Sequence, residues 1–213
     1  RMLFGARISL LVGLVSVLLG AVIGVSSGLI AGYWGGWPET VIMRLWDAVL
    51  AFPAILLGIA VTAVLGPGLL NAAIAVGIIS MPQFARISRA SILSEKQKDY
   101  VTAAHATGNT SLRIVVRQML PNVTGAILIQ ITLAMAYAVL LEAGLSFLGL
   151  GAQPPEPSWG SILSQSRSVI RDNPWYGIFP GVALSLLLLG LNLLADATRD
   201  ALDPRQKHLL GGK

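Results

Sequence analysis

Residues 8–32 run without one ionisable side chain for 25 positions. At about 1.5 Å rise per residue, a helix of that length exceeds a hydrocarbon core of roughly 30 Å, so the run is expected to cross a membrane with some tilt. Further uncharged runs at 48–65, 123–141 and 176–195 read the same way. Residues 69–85 are also uncharged but contain Asn71, Gly77 and Pro82. They count as a span because the chain must return from the turn at Gly66-Pro67-Gly68, which reads as the tip of a helical hairpin. Composition agrees: 12% of the 213 residues are charged, about half the share of a soluble domain. Mean hydropathy is +0.73. The expected fold is an all-α polytopic membrane protein, one domain over residues 1–213, with five spans. Arg1 and Arg7 resemble a secretory leader, but the apolar run behind them is too long and lacks a small-residue cleavage pattern before Tyr33. The chain opens on Arg1 rather than Met, and a further span ahead of it is expected.

Orientation follows from Lys and Arg. The segment 83–121 holds Arg86, Arg89, Lys96, Lys98, Arg113 and Arg117 against Glu95 and Asp99. Burying six cations in lipid would cost on the order of 15 to 20 kcal/mol, so this island is expected outside the bilayer, on the cytoplasmic side. The tail, with Arg199, Arg205, Lys207 and Lys213, falls on the same side after two more spans. Residues 33–45 are then a cytoplasmic loop, with Trp34, Trp37 and Trp46 as interfacial anchors. Residues 142–175 face outward. Pro154, Pro155 and Pro157 bar regular helix in the middle of that loop, and its apolar start, 143–151, is expected to dip back as a lid. Asp47 and Glu142 read as solvated boundary residues.

Within the island, Leu112, Val115, Val116, Met119 and Leu120 repeat at helical spacing, so they are expected on one apolar face with Arg113 and Arg117 on another. Asn109, Thr110 and Ser111 offer capping oxygens at the start of that helix, and Gly108 closes the preceding one in a left-handed conformation. Pro121 suits the first turn of a span, where a missing N–H is harmless. Ala103, Ala104 and Ala106 keep the first helix thin, and nearby cations attract an acidic partner. A helix resting on anionic headgroups has the same chemistry. These residues alone leave both readings open.

Resemblance decides between them. Ala103, Ala104, Gly108, Leu120 and Pro121 stand at the spacing of the Glu-Ala-Ala, Gly, Ile, Leu-Pro pattern in the cytoplasmic loop of binding-protein-dependent ABC importer permeases. Thr102 replaces the pattern's Glu, and Gln118 its Ile. The stretches DYVTAAHATG, VVRQMLPN, LLEAGLSFLGLGAQPPEPSWGSIL and LADATRDALDPR resemble the peptide and nickel branch of that family, in particular the C-type subunit of dipeptide and oligopeptide transporters. The resemblance implies a type I (MetI-like) importer permease fold with six spans, the first ahead of Arg1. It further implies a second, B-type permease, two cytoplasmic ATPases that bind ATP and Mg, and an extracytoplasmic solute-binding protein, all at a prokaryotic inner membrane. Coupling to the ATPases is carried onto Thr102, Ala103, Ala104, Gly108, Leu112, Arg113, Leu120 and Pro121. Leu145, Phe147 and Leu148 are candidates for an outer apolar gate, and Trp159 for contact with the binding protein. Dipeptides or oligopeptides are the expected cargo, with nickel or a metal chelate as the alternative and an ion-coupled secondary transporter as a more distant one.

The residues fit a subunit that borrows its energy. No Gly-x-x-x-x-Gly-Lys-Ser/Thr run is present to cradle a nucleotide. The spans show neither paired carboxylates nor a nucleophile with its base, so no catalytic site, cofactor or nucleic-acid partner is expected. The absence of cysteine excludes disulfides and thiolate metal sites, and His105 and His208 are too far apart to build a metal cluster.

Overall fold

Helices α1 (Met2–Trp34) and α4 (Leu69–Glu95) pack closely along their length. Gly20, Gly24, Gly28 and Gly32 recur every four residues, so they share one face of α1. A Cβ added at Gly24 would lie 2.5 Å from the Met81 carbonyl oxygen and 2.6 Å from Phe84 Cβ. Without a hydrophobic drive between helices in lipid, small residues that let backbones touch supply the packing. Val17, Ala21, Val76, Ile79, Phe84 and Leu145 continue the buried seam towards α7 (Leu120–Phe147).

The computed structural model describes residues 1–202 and is helical throughout its regular parts, with no strand among them. Arg205, Lys207, His208 and Lys213, used above for orientation and metal chemistry, lie outside the described residues. Among the described residues, four helices are long and apolar enough to cross a membrane: α1, α4, the continuous rod Ser111–Phe147 that contains α7, and α9 (Trp175–Leu202).

The expected span 48–65 is not one helix. It is broken at Ala51–Pro53, where α2 (Gly36–Leu50) meets α3 (Ala54–Leu65) at 94°. Proline has no N–H to donate and drives the residue before it out of helical conformation, so Phe52-Pro53 ends α2. The expected loop 33–45 is largely helical, and the two acids of α2 are paired across to α4. Asp47 accepts from Arg86 at 2.7 Å, and Glu39 accepts from Arg89. Trp46 is buried and donates its indole N–H to Ser27 Oγ at 3.1 Å, so it is a packing residue rather than an interfacial anchor.

The hairpin tip at Gly66–Gly68 is as expected. Asn71 Nδ2 donates to the Leu65 and Gly66 carbonyls at 2.9 and 3.0 Å, closing the turn. At the same end of the bundle, two further expectations fail. Residues 143–147 finish α7 instead of turning back as a lid, and Gly149 (φ +83°) makes the turn. Glu142 is fully buried rather than solvated: Ser146 Oγ donates to its Oε1 at 2.6 Å and also accepts from the Ala152 N–H at 3.1 Å. The cause is α8 (Trp159–Ser166), which closes over this turn with Gly160 against Ala143. Trp159 is buried there too, its indole donating to the Met2 carbonyl at 3.0 Å, and presents little surface to a partner.

Candidate coupling surface

At the opposite, basic end, the island forms two short helical pieces joined at Gly108. Helix α5 (Asp99–Ala106) ends in a Schellman motif: the Gly108 N–H donates to His105 O at 3.0 Å, and the Asn109 N–H to Ala104 O at 3.2 Å. Gly108 takes φ +77°, the left-handed conformation a glycine adopts without strain. A side chain added there would meet nothing within 4 Å in this chain. The expected caps are not made: Thr110 precedes α6 (Ser111–Ile114) without a side-chain bond to the helix.

The apolar face turns differently from expectation. Ile114, Val115 and Met119 are buried, whereas Leu112 and Val116 are 66% and 49% exposed. A π-helical turn, Val115–Met119, runs through this stretch, with the Leu120 N–H bonding Val115 O, five residues back. A wider turn rotates the residues behind it off the α-helical spacing. It also leads directly into Pro121, whose ring would otherwise press on the carbonyl four residues earlier. Pro121 therefore lies inside the continuous rod Ser111–Phe147. Leu112, Arg113, Val116 and Arg117 with Thr110 line an open cleft of about 410 Å³.

Of the sequence-predicted coupling residues, Thr102, Ala103, Gly108, Leu112, Arg113 and Pro121 are exposed at this end. Leu120 is half-buried. Ala104 faces inward with Val101, Ile114, Met119 and Tyr33, so it holds α5 to the bundle rather than offering a surface. The gate candidates are not brought together. Leu145 is buried in the core, Phe147 lies under the Arg167 guanidinium at 3.9 Å, and Leu148 is about half exposed.

Sequence reading missed what ties the island down. Glu95, the last residue of α4, is 5% exposed. Its Oε1 accepts from the Tyr100 hydroxyl at 2.6 Å and from Asn122 Nδ2 at 2.9 Å, and its other oxygen pairs with Lys98 at 2.7 Å. One carboxylate thus joins α4, α5 and the root of α7. Burial and then the Glu95 bond raise the Tyr100 phenol above its usual pKa, so it stays a donor throughout the neutral range. A second tie runs to α1, where Lys96 Nζ donates to the Tyr33 carbonyl at 2.7 Å and the Tyr33 hydroxyl meets His105 Nε2 at 3.1 Å. An acid standing beside Lys96 and Lys98 was the available signal for Glu95. Nothing in the spacing marked Tyr33.

Residues 24–208 match the family described as binding-protein-dependent transport system inner membrane component. The chain is 46% identical to the dipeptide transport system permease protein DppC of Alkalihalophilus pseudofirmus, over 97% of this chain and 68% of that protein. It is 45% identical to the glutathione transport system permease protein GsiD of Pectobacterium atrosepticum, over 97% of this chain and 69% of that protein. Its fold is similar to a chain in an inward-facing structure of the MetNI methionine ABC transporter, with a TM-score of 0.77 at 21% identity, covering 95% of this chain and 96% of that one. A relay of exposed helix, glycine turn and rod continuous with a span, carried on a sequence this close to named permeases, leads to one conclusion: the chain belongs to the family of inner membrane components of binding-protein-dependent transport systems.

Proposed function

We propose that the chain is one of two permease subunits of an ATP-driven importer of dipeptides or oligopeptides in a prokaryotic inner membrane. The basic end faces the cytoplasm, with residues 96–121 as its coupling loop, because residues 83–95 complete helix α4. Of two ATPases, which bind the ATP and Mg, one docks on the exposed side of α5 and the adjoining cleft. Segment 142–175 lies outside, where a solute-binding protein delivers cargo, and Phe147 and Leu148 rather than the buried Leu145 form the apolar lip there. The observation that carries this reading is mechanical. The surface at Thr102, Ala103 and Gly108 is exposed, yet it is fastened through Glu95 and Asn122 to α4 and to a rod that continues through a span. Force applied at Gly108 therefore moves two spans together, at Pro82 and Pro121. Peptide cargo is supported by relatives named for dipeptide and glutathione transport.

The test is uptake of labelled dipeptide into vesicles holding the assembled subunits. Uptake driven by ATP on the basic side is expected, with none on an ion gradient alone. Gradient-driven uptake without the ATPases would make the chain a secondary transporter instead.

A further inference from the structure

Helix α3 has 12 residues, roughly 18 Å of rise against a hydrocarbon core of roughly 30 Å. With its far end at the Gly66–Gly68 tip, the break at Ala51–Pro53 falls inside the hydrocarbon thickness. Non-helical backbone at that depth is tolerated only where it is buried in protein or lines a water-filled passage. This chain does not bury it: Ala51, Phe52 and Pro53 are all exposed. A small notch of about 50 Å³ opens beside the break, lined in part by Phe52, Leu57, Ile79, Gln83 and Tyr137. Gln83 is exposed on α4 and accepts from Gln130 Nε2 at 3.1 Å. Tyr137, on α7, is 37% exposed, and its hydroxyl has no hydrogen bond among the described residues. Polar side chains at span depth are rare and expensive against lipid, and they mark pathways. Three elements thus bring a helix break, a carboxamide and a phenol to one spot.

We propose that this notch is part of the chain's wall of the translocation pathway, and that Gln83 and Tyr137 hydrogen-bond the backbone of peptide cargo in passage. The notch is too small to hold a peptide, so the facing wall belongs to the second permease. A glutamine carboxamide offers the same donor and acceptor as a peptide bond. It reads a peptide backbone whatever the side chains. This inference rests on the permease reading for its cargo but not for its aqueous wall.

The absence of cysteine from residues 1–213 makes the test direct. Gln83→Cys, Tyr137→Cys and, as a control on the exposed apolar face of α9, Leu186→Cys are made singly in the assembled transporter. Each is treated with a charged, membrane-impermeant thiol reagent in opened membranes, and labelling is read on this chain. Labelling of the first two, slowed by saturating dipeptide with the binding protein, and none at Leu186→Cys is expected. Gln83→Leu should raise the KM for dipeptide uptake about threefold to tenfold, the loss of one hydrogen bond, with partial rescue in Gln83→Asn. No labelling at positions 83 and 137 would mean that the second subunit packs over the notch, and labelling that dipeptide leaves unchanged would mean water without cargo contact. Either overturns the proposal. Failure of ATP-driven uptake in the unsubstituted protein would instead undo the importer reading, leaving the labelling result to stand on its own.

Discussion

Gly108 carries a specific expectation because its own chain leaves space around it. Alanine there meets only the left-handed backbone penalty, about 1–2 kcal/mol, and asparagine tolerates that conformation better. Leucine adds bulk that only a docked partner would feel. Cargo-stimulated ATP hydrolysis is therefore expected to fall in the order Gly108→Asn, Gly108→Ala, Gly108→Leu, with assembly in the membrane retained. Equal, near-normal stimulation in all three would remove Gly108 from the coupling surface. Glu95 belongs to the same scale. Tyr100→Phe deletes a donor to a buried carboxylate and is expected to cost about 1.5–3 kcal/mol, read as a lower thermal midpoint of the purified complex. An unchanged midpoint would show that Asn122 and Lys98 suffice.

At the scale of elements, the seam between α1 and α4 is the least forgiving. Gly24→Leu places a branched side chain where even a methyl carbon would overlap Met81 O and Phe84 Cβ. Overpacking of this kind typically costs 1–3 kcal/mol and occasionally more, so loss of folded protein from the membrane fraction is expected, with Gly125→Leu on open surface as the tolerated control. Normal yield of Gly24→Leu would mean that the helices separate more readily than this contact implies. Much of this layer was readable beforehand. Uncharged runs located four long helices, and Gly66-Pro67-Gly68 located the hairpin, because hydropathy and turn chemistry are local. The bend had a local signal in Pro53, which hydropathy averaged over 48–65 hides. The helix at 36–50 and the burial of Glu142 depend on neighbours from elsewhere in the chain: Arg89 and Arg86 pair with the two acids of α2, and α8 closes over Glu142. The register of the island failed for a different reason. A π turn shifts spacing by one residue, and no 3.6-residue periodicity can announce it.

On the scale of the whole molecule, the basic end and the hairpin end are linked by helices with few places to yield. Pro82 sits in unbroken helix in α4, and Pro121 follows the π turn, so these are the points at which rotation of the coupling loop would pass into the spans. Helix α9 buries Pro180 and Ala195 and leaves Leu186, Leu189 and Leu193 exposed, as a helix facing lipid or a second subunit would. Ala103 and Gly108, the proposed coupling residues, were singled out by spacing plus resemblance and are exposed, whereas the Glu95 node that ties α5 to α4 and α7 was not legible. Whether that unit touches an ATPase or rests on headgroups is decided most directly by photo-crosslinking. A benzophenone thiol reagent is attached to Ala103→Cys, and separately to Leu148→Cys, in membranes containing all subunits. An adduct between position 103 and an ATPase subunit, with none from position 148, is the expected result. Adducts to lipid alone at position 103, or an ATPase adduct from position 148, would contradict the assignment of the basic end as the coupling surface.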